Sequence, residues 1–299
     1  MRPTLQPGIF AVGTRSHHHL HFDVDPEAPA PEVLGALRRI REHATTIAGV
    51  NVVVGLGSEL CARIAPDRLP EGVGPFETLV GPDGCTIPGD QHDLWVWLHS
   101  ALPDAVFDVA LATNRCLEGV ATVAVERPCF TYQTSRDLTG FEDGTENPPL
   151  DRAIDLIAVP PGRPGAGSSI VLVQHWVHDL EAFQALDDEE KDQVIGRHRL
   201  TGEAIPRDRR SPRAHISRVS IEDEDGEELQ IFRRSVAYGG VLEHGLEFVA
   251  FSPDVARLDA MLRRMVGIGD GVRDRLTDIS TCRASAWYVA PPVEAFVPG

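Results

Sequence analysis

Gly140-Phe141-Glu142-Asp143-Gly144-Thr145-Glu146-Asn147-Pro148 is the stretch on which the reading of this chain turns. Two glycines, three acids, an asparagine and a proline fall within nine residues. Glycine lets the backbone take positive φ or approach a ligand closely, and Asp-Gly marks a turn. By composition alone the run is a surface turn. As a tight loop between ordered segments it is also well placed to hold the Asp143 carboxylate for proton transfer.

Working outward, both flanks show the same order of elements. Upstream, residues 8–24 read as a strand. Residues 31–50 read as a helix with Leu34, Leu37, Ile40 and Ala44 at helical spacing, and 51–56 as a buried strand. Residues 66–90 are rich in Pro and Gly and read as a long loop. A strand at 94–98, a helix at 104–119 and a strand at 121–125 follow. Downstream, the Pro/Gly-rich segment 160–167 marks a seam. Then come a strand at 168–177, a single helix at 179–197, and a hairpin of 219–221 with 228–232 around Asp225-Gly226. A strand at 245–251, a helix at 254–266 and a strand at 284–289 close the chain. Each half thus runs β-α-β-β-α-β, the pattern of two ferredoxin-like units in an α+β protein, divided as residues 1–157 and 158–299.

Composition excludes several classes of function. The net charge of −17 disfavours nucleic acid and anionic membranes. There is no apolar run long enough to span a bilayer. The opening Met1-Arg2-Pro3-Thr4-Leu5 lacks the apolar core of a signal peptide, so a cytoplasmic location is the default expectation. The five cysteines are widely spaced with no Cys-x-x-Cys, which argues against zinc and against a disulfide framework.

His17-His18-His19-Leu20-His21 invites a metal reading, but in a strand only His17, His19 and His21 share a face and no acidic partner is interleaved. A solvated or partly packed face is expected. Glu222-Asp223-Glu224-Asp225-Gly226-Glu227-Glu228 lacks the oxygen spacing of a calcium loop and is expected to be a solvated tip. Among twelve histidines, His215 stands out in Arg213-Ala214-His215-Ile216-Ser217-Arg218-Val219, between a basic loop and the expected hairpin. From its neighbours alone it is either a satisfied loop histidine or a ligand. In Ile231-Phe232-Arg233-Arg234-Ser235-Val236-Ala237-Tyr238-Gly239, the adjacent arginines are expected to point to opposite faces.

Taken whole, the Gly140–Pro148 run resembles the signature of the dye-decolorizing (DyP-type) heme peroxidases. Gln6-Pro7-Gly8-Ile9-Phe10, Val177-His178-Asp179-Leu180 and the C-terminal third also fit, so the resemblance covers most of the chain. It implies a duplicated ferredoxin-like fold, with two antiparallel β-sheets, flanking helices and heme b in the C-terminal half. It assigns the axial iron ligand to His215, the distal acid to Asp143 and the distal cation to Arg233, with Ser235 where many relatives carry Asn. Asp278, in Asp274-Arg275-Leu276-Thr277-Asp278-Ile279-Ser280, is the candidate acceptor for the other imidazole N–H of His215. Arg197 is the candidate partner of a heme propionate, with 207–213 as rivals. The implied activity is reduction of hydrogen peroxide and one-electron oxidation of aromatic, dye-like donors through a ferryl heme. The rival readings are a non-enzymatic heme carrier and a heme-free dimerisation module. The compact length looks like the bacterial B-type subgroup. A homo-oligomer is expected, and the end at Phe296-Val297-Pro298-Gly299 leaves no tail for docking in a protein nanocompartment. Trp95, Trp97, Trp176, Trp287, Tyr132, Tyr238 and Tyr288 could relay electrons to the surface or simply fill the core, and the sequence does not rank them.

Overall fold

The structure, a computed structural model, describes residues 3–46, 49–223 and 225–297. The opening Met1-Arg2, residues 47–48 in the helix expected over 31–50, Glu224 in the acidic tip and the closing Pro298-Gly299 lie outside the described residues.

The first half contains β1 (Ser16–Val24), α1 (Ala30–Thr46), β2 (Asn51–Leu56), α2 (Ser58–Ile64), β3 (Leu79–Val80), β4 (Thr86–Ile87), β5 (Leu94–Ser100), α3 (Pro103–Leu117) and β6 (Ala121–Phe130). The stretch expected as one long loop therefore holds a small hairpin, β3–β4. The first half ends with α4 (Leu150–Ile157), and the second half contains β7 (Ser169–His178), α5 (Leu180–Ala185), α6 (Asp188–Ile195), α7 (His215–Val219), β8 (Phe232–Arg233), β9 (Val236–Gly239), β10 (His244–Ser252), α8 (Val255–Met265) and β11 (Ser280–Ala290).

Three expectations are corrected here. The helix at 179–197 is two helices, because Asp187 caps a new one: its side chain accepts from the Glu190 N–H while Glu190 reaches back to the Asp187 N–H. The hairpin after 219 is vestigial, since its arms meet only at the Glu222–Glu228 bridge. His215 instead opens the short helix α7.

The strands form two four-stranded antiparallel sheets, ordered β2-β5-β1-β6 and β11-β7-β10-β9. This is the ferredoxin-like order twice over. β8 lies on the same side of β10 as β9, so the two are one strand broken at Arg234-Ser235. The sheets join at their edges through Leu56–Val289 on one side and Cys129–Tyr238 with Phe130–Ala237 on the other. Each such backbone hydrogen bond is worth only ~1 kcal/mol net. Between the facing sheets Val53, Trp95, Trp97, Val171, Phe251 and Tyr288 are buried together, at about 1.5–3 kcal/mol per large apolar side chain. Face-to-face packing therefore sets the arrangement, and the edge pairings follow it.

β1 is central and covered on both sides. Leu20 and Phe22 pack toward α1 and α3, while the other face meets the second sheet. The solvated histidine face is thus overturned: His17, His18, His19 and His21 are all buried. No cluster suited to a metal ion occurs among the described residues. No helix of the described residues is long and apolar enough to cross a membrane. On the outward face of the second sheet, Leu172, Trp176 and Ala250 pack toward Leu258, Leu262 and Met265 of α8. The principal cavity opens on this side.

Candidate active site

A cavity of about 1570 Å³, counting its open mouth, brings together residues from four parts of the chain. Its apolar wall includes Leu172, Trp176, Leu246, Phe248, Met261 and Leu262. His215, Asp143, Arg233 and Arg197 all line it, so four of the five residues singled out from sequence converge. Asp278 does not.

His215 stands at the first position of α7, where the preceding loop turns in. Its Nδ1 lies 2.7 Å from Oδ2 of Asp274, which is fully buried. The other Asp274 oxygen accepts from the Leu276 N–H at 2.8 Å, which fixes the carboxylate. With Nδ1 committed, Nε2 is the nitrogen left for the cavity. Asp274 therefore fills the role expected of Asp278. Asp278 is partly exposed and receives Arg213 at 2.9 Å, with Arg273 as a second partner.

The Gly140–Pro148 loop is shaped by its glycines and anchored at several points. Gly144 has φ +77°, and a Cβ there would come within 2.9 Å of Asn147 Nδ2. Phe141 is buried edge-on against Phe183. Asn147 acts as a strand partner for Arg233: its Oδ1 accepts from the Arg233 N–H at 2.9 Å, and its Nδ2 donates to the Arg233 carbonyl at 2.8 Å. The loop thereby positions Arg233 as well as its own Asp143. Arg233 Nε is buried without a hydrogen-bond partner, so the guanidinium retains capacity for a ligand. Arg234 points the other way and donates to the carbonyls of Ile9 and Ala11, each at 2.6 Å.

Burial drives the Asp143 carboxyl above the usual carboxylate range; the Arg233 charge pulls it back, Asp137 adds to the rise, and the net shift is upward. Ser235 Oγ lies near enough to favour the charged form slightly but makes no hydrogen bond. A second chamber of about 1020 Å³ backs onto the pair, and Asp143, Arg233 and Ser235 all line it.

Two further residues of the wall escaped the sequence reading. Asp137 Oδ2 meets His178 Nε2 at 2.9 Å, and His178 Nδ1 meets Ser280 Oγ at 2.8 Å. Desolvation works to raise the Asp137 carboxyl, but His178 and Thr139 outweigh it and hold it low. The only sequence signal was Val177-His178-Asp179-Leu180, which showed a helix start and no role for its histidine. At the mouth, Arg197 pairs with Glu146 of the loop and donates to the Gly202 carbonyl at 3.0 Å. Arg199 lines the cavity beside it. The rivals Arg207 and Arg213 are turned to Glu222 and Asp278 instead.

The residues present fit a heme. A largely apolar cavity carries one imidazole with a free cavity-side nitrogen, a buried cation with an unused donor, and arginines in its lining for carboxylates.

Comparison with known proteins places the whole chain among relatives of one family. The family model described as Dyp-type peroxidase, C-terminal, matches residues 134–295. A dye-decolorizing peroxidase of Brevibacterium linens is 32% identical over 89% of this chain and 78% of its own length. One from Rhodococcus erythropolis is 32% identical over 98% and 86%. Among solved structures, a variant of Rhodococcus jostii DypB in complex with heme superposes with a TM-score of 0.88 at 30% identity, covering 95% of both chains. The encapsulated DyP-type peroxidase of Mycobacterium smegmatis gives 0.89 at 29% identity, over 98% and 97%. With a family match over more than half of its length and relatives this similar along nearly all of it, the chain belongs to the DyP-type peroxidase family.

Proposed function

We infer that this protein is a heme-dependent peroxidase that reduces hydrogen peroxide and takes electrons singly from aromatic, dye-like donors. The observation that carries this reading is the Asp274–His215 pair opening on the same apolar cavity as Asp143 and Arg233. Heme, when bound, supplies the iron at which peroxide is reduced and the store of oxidising equivalents that donors then discharge.

His215 would hold that iron through Nε2. The Asp274 carboxylate on Nδ1–H keeps the ring in one orientation and makes Nε2 the better donor. Arg197, with Arg199, would meet the propionates. Asp143 takes the proton from the near oxygen of peroxide and returns it to the departing one. Arg233, charged even in a dry site, stabilises the negative charge that develops on that oxygen. In this reading residues 158–299 form the heme-binding unit and 1–157 lend it the loop with Asp143. A cytoplasmic setting is supported by five free thiols. Self-association is supported by Phe107 and Leu111, exposed one turn apart on α3. The likeness to DypB supports the B-type assignment.

The test is spectroscopic. The purified protein should show a Soret band that changes within the mixing time of added peroxide. His215→Ala should lose stable heme loading, and a normal five-coordinate ferric spectrum in that variant would contradict the ligand assignment. A Soret band inert to peroxide would point to heme handling instead.

A further inference from the structure

A second carboxylate, Asp137, is held beside Asp143 on the cavity wall, and the peroxide chemistry above gives it no part. The bridge between Arg136 and Glu142 makes residues 135–143 a short hairpin. On either side of it the Asp137 N–H donates to the Phe141 carbonyl at 2.8 Å, and the Asp143 N–H to the Ser135 carbonyl at 3.0 Å. Ser135 makes that bond at a left-handed φ of +67°, a strained setting for a residue other than glycine. In an antiparallel pair, successive side chains alternate between the two sides and opposite ones share a side. Asp137 and Asp143 therefore fall on one side, with Arg136 and Glu142 on the other. Both aspartates line the cavity.

The two carboxylates are supported unequally. Asp137 Oδ1 accepts from the Thr139 N–H at 2.8 Å and from the Thr139 hydroxyl. Its Oδ2 lies 2.9 Å from Nε2 of His178, which is buried on β7. His178 Nδ1 meets Ser280 Oγ at 2.8 Å, so with the serine hydroxyl donating, the ring presents its own hydrogen to Asp137. Asp143 has the Arg233 charge and only slight help from Ser235 and the Gly144 N–H. The donors hold Asp137 low, while burial lifts Asp143 and the Asp137 charge adds to the lift. The other charged groups around the pair are turned elsewhere or neutral. Arg136 donates to the carbonyls of Gly140 and Arg199, Glu146 pairs with Arg197, and Arg199 with Asp188. Arg234 holds Ile9 and Ala11, Glu142 is exposed, and burial holds His17, in the rear chamber, down at about 3.

We propose that Asp137, locked by His178, is a positioning residue for the peroxide reaction and acts through Asp143. The proposal rests on the peroxidase reading, in which Asp143 takes the proton from peroxide. Two carboxylates on one side of a hairpin would share a proton unless their surroundings told them apart. The clasp of His178 and Thr139 makes Asp137 the member that stays charged. The proton from peroxide then goes to Asp143, the member beside Arg233, and the fixed charge next to it makes Asp143 the stronger base. An Asp137–His178 pair that only tied the hairpin to β7 would affect stability and leave the pH profile in place.

Two measurements on the holoprotein test this. Without peroxide, infrared difference spectroscopy over a pH series follows the protonated carboxyl band, assigned by its loss in Asp143→Asn. In Asp137→Asn the midpoint of that band should fall by about one pH unit, the effect of removing a nearby like charge. With peroxide, stopped-flow rates should show the acid limb falling by the same amount. The rate above the limb should drop a few-fold, because a weaker base takes the proton less readily. His178→Phe should shift both in the same direction. His178→Gln, whose amide can still donate to Asp137, should restore most of the original profile. A midpoint and limb that stay put or rise in Asp137→Asn overturn the proposal. So does a band that survives in Asp143→Asn and vanishes in Asp137→Asn. Where Asp137→Asn fails to load heme, His178→Phe decides by the same shifts, and failure of both to load heme makes the pair structural and ends the proposal. A Soret band that ignores peroxide in the unaltered protein overturns the peroxidase reading and the role of Asp137 in it, whatever the infrared titration gives.

Discussion

At the scale of single residues, Asp143 and Arg233 are coupled, and the coupling has a sign. Burial lifts the Asp143 carboxyl and Arg233 opposes the lift. If the carboxylate is the working base, the peroxide reaction slows as pH falls through that raised value, at higher pH than for an ordinary aspartate. Arg233→Leu should move this acid limb to still higher pH, and should slow the reaction at its best pH by roughly 10²–10³-fold, the usual effect of losing one donor to a developing oxyanion. Stopped-flow rates over a pH series decide it: a limb that stays put or moves to lower pH would remove Asp143 from the base role. Asp274 and Asp278 give a second residue-level contrast. Asp274→Asn replaces the carboxylate on His215 Nδ1 and should weaken heme binding about 10–100-fold, as for other partners of metal-bound histidines. Asp278→Asn breaks only contacts to Arg213 and Arg273 and should leave heme affinity unchanged in the same titration.

At the scale of elements, the break at Arg234-Ser235 leaves β8 only two residues long, and Asn147 compensates by pairing with both backbone groups of Arg233. Asn147→Ala should therefore act like a weakened Arg233, with slower peroxide reaction and an intact Soret band; loss of heme instead would show that the clamp serves the pocket as a whole. Gly144→Ala should be worse, since its φ of +77° is strained for alanine and the Cβ would meet Asn147, at a cost of about 1–3 kcal/mol. The strands and longer helices were legible because one-sided burial imprints a period, as at Leu37, Ile40 and Ala44 of α1. The assignment to Asp278, where the structure has Asp274, failed for a geometric reason. Four residues apart, both would share the face of an α-helix, but Arg275–Asp278 is a 3₁₀ turn of three residues per turn, so only one of them faces His215. The helix break at Asp187 was written in its capping box, yet Leu186-Asp187-Asp188-Glu189-Glu190 holds no Gly or Pro to interrupt the helical pattern. The burial of the β1 histidines was not legible, because it depends on a second sheet far along the chain covering a polar face.

At the scale of the whole molecule, that buried face makes folding itself pH-dependent. His17 and His19 titrate near 3 in the folded protein against 6.5 in the unfolded chain. The unfolded state therefore binds more protons below pH 6.5, and stability is lost as pH falls from there toward 3. At pH 5 each of the two should cost roughly 2 kcal/mol. His99, held well below its usual value by burial, adds to the same trend. Glu247 is desolvated, but His175, His21 and Arg127 hold its carboxyl far below the ordinary range. Its contribution is lost only at more acid pH, as protonation proceeds below the unfolded carboxylate value, so the interval from pH 7 to pH 5 isolates the histidines. Asp143, shifted upward, is a single opposing group whose protonated form favours the fold. The melting temperature should fall on the order of 10 °C between pH 7 and pH 5. His19→Gln, which keeps an acceptor for the Trp95 N–H but cannot be protonated, should show a clearly smaller fall. Equal falls in the two proteins, measured by calorimetry at matched heme loading, would mean that His19 is protonated inside the folded protein and that the inter-sheet space is wetter than its packing indicates.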